Sequence, residues 1–82
     1  MSYQIRQLKK LMLDSTLQIK VGKQIQKIRE LKGISQQDLA AKCNFEKSNM
    51  SRLEAGRVNP TLSTLDKICK ALEINISELF NF

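Results

Sequence analysis

The sequence predicts an all-α fold, five short helices packed as one compact unit and preceded by an extra amino-terminal amphipathic helix. Two observations carry that prediction. Apolar residues recur at three- and four-residue spacing in segment after segment, the repeat that puts them on one face of a helix. Within residues 35–56, SQQDLAAKCNFEKSNMSRLEAG, they fall where two short helices would touch across a tight turn. A chain of 82 residues makes one domain and is above the size at which a core usually needs disulfides or metals.

Residues 3–13, YQIRQLKKLML, set Ile5, Leu8, Leu11 and Met12 at helical spacing with Arg6, Lys9 and Lys10 between them. Three roles are open to this helix: packing against the rest of the chain, an arm for dimerisation, or a basic arm that touches phosphate. Asp14 or Ser15 is suited to cap the next helix, which runs to about Lys32 with Val21, Ile25, Ile28 and Leu31 inward and stops at Gly33. Alternation in TLQIKV leaves a short strand as the competing reading. The extension is therefore residues 1–16 and the main domain residues 17–82.

Ser35 opens the following helix, with Asp38 completing the S-x-x-D form of a capping box. Leu39 and Cys43 share one face, and the small Ala40 beside them permits close approach by a second helix. Asn44 marks the turn, because after Gly it best tolerates the left-handed conformation. Phe45 can fold inward beneath it. In the next helix Met50 and Leu53 face inward, which leaves Lys47, Ser48, Asn49, Ser51 and Arg52 outside or at the leading end. Those side chains suit base edges and phosphates. The helix ends near Ala55 and Gly56, and residues 57–60 form a polar loop. Thr61 caps a helix carrying the stripe Leu62, Leu65, Ile68, Cys69 and Leu72, and Ser77 caps a last short helix with Leu79 and Phe80.

The net charge of +6 is the electrostatic footprint of a polyanion binder, although it does not choose nucleic acid over an acidic membrane. Residues 1–32 hold eight of the fourteen basic residues against two acids, so the amino-terminal part supplies most of the positive field. No apolar run approaches the roughly 20 residues that span a bilayer, and the amino terminus lacks the pattern of a signal peptide, so a cytoplasmic protein is expected. Cys43 and Cys69 occupy core-facing positions and read as buried free thiols. Without histidine, paired carboxylates on one face or a Gly-rich phosphate loop, no usual catalytic arrangement can be assembled. Neither an enzyme nor a cofactor or metal is expected.

The pieces VGKQIQKIRELKG, ISQQDLAAKC, MSRLEAGRVNP and LSTLDKICKAL followed by ISELF agree in order and spacing with one known family. Residues 21–80 resemble the repressor/Cro-type (Xre-like) helix-turn-helix family. That resemblance implies a five-helix DNA-binding domain whose recognition helix, about residues 46–55, enters the major groove. It assigns base readout to Lys47, Ser48 and Arg52, with Asn49 and Ser51 as secondary readers, since Lys or Arg can donate to guanine and Asn can pair with adenine. It assigns phosphate contacts to Gln36, Arg57 and Asn59, and a structural salt bridge to Arg29 and Glu54. Two departures stand out. Asn44 replaces the usual Gly, and Glu46 replaces the usual Ser or Thr cap, which weakens the cap and sets a negative charge near the DNA.

One recognition helix reads too few base pairs to select a site from a genome, so a homodimer on a palindromic operator is expected, and the family resemblance implies that the ISELFNF segment forms the interface. The function implied is that of a transcriptional regulator, a repressor or autoregulator. The alternative is an antitoxin or other partner-binding protein that uses the same domain for autoregulation. RNA binding is disfavoured, because only four aromatic residues are present and none lies on an exposed sheet where bases would stack.

Overall fold

A computed structural model describes the backbone of residues 3–82 and the side chains of residues 16–82. Among these residues there are four α-helices and a closing 3-10 turn: α1 (Tyr3–Leu31), α2 (Gln36–Lys42), α3 (Lys47–Glu54), α4 (Leu62–Leu72) and the turn Ile76–Phe80. The all-α expectation holds. No described helix is long and apolar enough to cross a membrane.

The chain differs from expectation at its start. Helix α1 runs unbroken through Asp14 and Ser15, so neither starts a new helix, and TLQIKV is helical rather than extended. Asp, Ser and Thr in a helix interior cost only about half a kcal/mol each relative to Ala, too little to stop a helix whose next turns bury Val21 and Ile25. The stripe of Ile5, Leu8, Leu11 and Met12 lies outside the described side chains.

Every element contributes to one core. Ile25 of α1, Leu39 of α2, Met50 of α3, Ile68 and Leu72 of α4 and Leu79 of the closing turn are all fully buried. Burial of each such side chain is worth about 1.5–3 kcal/mol. Phe45 and Ile28 pack against this cluster, and Cys43 and Cys69 lie inside it as free thiols. Burial raises both thiols above their usual pKa and so favours the protonated form.

Two expected core residues are outside it. Leu31 is 78% exposed and Leu62 is 75% exposed. Each is the terminal residue of its helix: Leu31 ends α1 two residues after buried Arg29, which turns it to the opposite side, and Leu62 opens α4 three residues before buried Leu65, at the edge of the core. The closing turn also begins earlier than expected. Asn75, not Ser77, flanks it, and its backbone N–H donates to the Glu78 carboxylate at 2.9 Å.

The other helix starts follow local chemistry. Ser35 Oγ accepts from the Asp38 N–H at 3.0 Å, and Thr61 Oγ1 accepts from the Thr64 N–H at 3.1 Å. Helix α3 starts after Glu46 with no side-chain cap. Asn44 takes φ +58°, the left-handed conformation expected of it.

Candidate nucleic-acid interface

Helices α2 and α3 meet across a tight turn in which the Phe45 N–H donates to Ala40 O at 2.8 Å and the Asn44 N–H to Ala41 O at 3.1 Å. Half-buried Phe45 anchors the turn from below, with Lys67 Nζ 5.8 Å from its ring centroid. Helix α3 is thereby divided into two faces. Met50, Leu53 and Glu54 are buried, and Lys47, Ser48, Asn49, Ser51 and Arg52 are all exposed. Arg52 Nη1 donates to Asn49 Oδ1 at 3.4 Å, one turn back on the same surface.

Glu54, the last residue of α3, is 5% exposed and accepts three side-chain hydrogen bonds. Arg29 Nε donates to its Oε2 at 2.8 Å, and Arg29 Nη2 to its Oε1 at 3.0 Å, a forked ion pair. Arg29 Nη1 donates to Ile34 O at 2.9 Å, just ahead of α2. The bond to Glu54 holds the Arg29 guanidinium above its ordinary pKa, against the opposing pull of burial. No buried side-chain polar atom in the described region lacks a partner.

The structure brings Gln36 into this same network. Its Nε2 donates to Glu54 Oε1 at 3.1 Å. A primary amide nitrogen carries two hydrogens, so one N–H remains, together with the backbone N–H at the first position of α2. One carboxylate thus ties the start of α2, the end of α3 and the last turn of α1. The sequence identifies Arg29 and Glu54 only through their family positions, and the Gln36 bond had no separate signal.

Arg57 and Asn59 are exposed on the loop that leaves α3. The Arg57 N–H donates to Arg52 O at 2.9 Å, and Gly56 takes φ +74° to make that turn. Gly22 was not singled out by sequence. A Cβ there would lie 2.5 Å from Glu54 O and 2.6 Å from Leu53 O, so α1 presses its backbone against the end of α3. A glycine inside a helical stripe was the available clue. Among the described residues no group of three or more His, Cys, Asp or Glu could hold a metal.

A short capped helix, a tight left-handed turn and a second helix with one buried face and one face of exposed donors define a helix-turn-helix DNA-binding domain of the transcription-regulator kind. Residues 24–82 match the family model of the Cro/C1-type HTH DNA-binding domain, and the chain belongs to that family. It is 39% identical over 59 residues to the immunity repressor protein of Bacillus phage phi105, covering 72% of this chain and 41% of that protein. It is 35% identical over 66 residues to the control protein C.MunI of a Mycoplasma species, covering 79% of this chain and 89% of that one. Among solved structures it resembles the restriction-modification controller protein C.AhdI from Aeromonas hydrophila, with a TM-score of 0.74 and 34% identity over 76% of this chain and 94% of that one.

Proposed function

We propose that the protein binds double-stranded DNA sequence-specifically as a homodimer and acts as a repressor or autoregulator of transcription. The observation that carries the reading is the division of α3: five polar side chains are exposed on one face while Met50, Leu53 and Glu54 fix the other to the core. Helix α3 enters the major groove. Lys47, Ser48 and Arg52 contact base edges, with Asn49 and Ser51 in secondary roles. Gln36 at one edge of the groove and Arg57 and Asn59 at the other contact phosphate and set the register.

Two copies set their α3 helices about 34 Å apart on a palindromic operator. Exposed Phe80 and Phe82, with ring centroids 6.4 Å apart, support the carboxy-terminal segment as the surface that joins them. Leu17 and Phe80 line one hollow, which extends that apolar surface onto α1. The immunity repressor and the control protein among its relatives favour the regulator role.

Selection of bound duplexes from a random pool near physiological salt tests this. An enriched palindrome with a one-turn repeat is expected. Absence of enrichment, with binding that falls away as salt rises, would shift the reading to a protein that acts mainly through a partner.

A further inference from the structure

Gln18 lies in α1, upstream of residues 24–82 that match the family model. It is half-buried against the loop that follows α3. With its amide nitrogen facing that loop, Gln18 Nε2 is 3.3 Å from Gly56 O and 3.3 Å from Val58 O. Two carbonyl oxygens converging on one amide fix its orientation, because the reverse would set three acceptors together without a proton between them. Gly56 confirms how closely the loop lies on this turn of α1: a Cβ there would be 2.7 Å from the Cα of Ile19.

The two carbonyls flank Arg57 in the chain. Its own N–H is already held by Arg52 O at 2.9 Å. Backbone groups on both sides of Arg57 are therefore tied down, by α3 through its N–H and by α1 through the neighbouring carbonyls. Asn59 and Pro60 line the same hollow as Gln18. We infer that Gln18 is a positioning residue for DNA binding, which holds loop 56–60 so that Arg57 and Asn59 meet phosphate without first being ordered. The inference rests on the phosphate role given to that loop above. Its physical content is that ordering done at folding does not have to be done at binding.

Gln18→Met, which keeps the reach and removes the donor, tests this in the full chain. A mixed-sequence duplex suffices as probe, because a phosphate contact does not depend on sequence, so the result stands apart from whether an operator exists. In the DNA-free protein, amide exchange and ¹⁵N relaxation at residues 57–59 should report a looser loop. Affinity should fall about three- to tenfold, with the salt dependence flattened by up to about one contact. Adding Gln18→Met to Arg57→Ala should cost little more than Arg57→Ala alone. Gln18→Lys, whose ammonium can donate to both carbonyls, should restore loop order.

An unchanged loop in Gln18→Met overturns the inference even if binding weakens. A loosened loop with unchanged affinity also overturns it, provided that Arg57→Ala does weaken binding. If Arg57→Ala has no effect, the phosphate role of the loop is wrong and the inference falls with it, a result distinct from failure of the brace.

Discussion

Glu54 is 5% exposed with both carboxylate oxygens bonded, so replacing it with Ala would leave the Arg29 guanidinium buried without its partner. Breaking a buried pair in this way costs about 3–5 kcal/mol. Glu54→Ala should therefore lower Tm by more than about 10 °C before it alters base preference. A retained Tm with changed specificity would refute the structural role. The exposed side chains proposed as base readers should behave differently, since they contribute nothing to the core. Arg52→Ala should cost about 1–3 kcal/mol on the preferred duplex and relax one base position. Arg57→Ala should weaken all sequences alike and flatten the salt dependence by about one unit. Binding isotherms on preferred and scrambled duplexes at several salt concentrations separate the two, and the reverse pattern would exchange reader for clamp.

At the scale of the element, α1 is the platform on which the recognition helix rests. Gly→Ala within a helix ordinarily gains about 1 kcal/mol. At Gly22 the added methyl would meet two backbone carbonyls at 2.5 and 2.6 Å, which cannot rotate away as a side chain can. Gly22→Ala should therefore destabilise by about 1–3 kcal/mol and weaken DNA binding as α3 is displaced. A thermal melt showing stabilisation would mean that the two helices separate without cost. Much of the element order was legible in sequence because caps and stripes are local: Ser35, Asn44 and Thr61 adopt the roles their chemistry suggests. The start of α1 was not. Asp14 and Ser15 favour a cap, but the cost of holding them inside a helix is small, and only the continuity of the backbone decides. Glu73, at φ +58°, is a second such case, since it ends α4 in the conformation that sequence would give to Gly or Asn. Its N–H and that of Ile74 donate to Lys70 O and Cys69 O, bonds that offset the left-handed backbone.

For the whole molecule, the carboxy-terminal turn divides its apolar residues between two tasks. Leu79 is fully buried and closes the core, whereas Phe80 is 42% and Phe82 56% exposed. Lys20 Nζ lies 5.4 Å from the Phe82 ring centroid, so the segment is held against α1 yet leaves apolar surface open. Phe80→Glu should keep the fold, because Leu79 is untouched; on the proposed dimer it should shift sedimentation toward the monomer and weaken binding to the selected duplex at protein concentrations where the parent protein binds. An unchanged dimer would exclude this surface as the interface.

The sequence by itself determined the helical class, the turn between α2 and α3, and which side chains of α3 face outward, because each follows from a period, a cap or a left-handed residue within a few positions. Its family resemblance also located the Arg29–Glu54 pair. Tertiary structure alone decided that Gln36 joins that pair, that Gly22 bears the end of α3, that Leu31 and Leu62 lie outside the core, and that Gln18 reaches the loop after the recognition helix. These depend on how segments distant in the chain lie against one another, which no local pattern records.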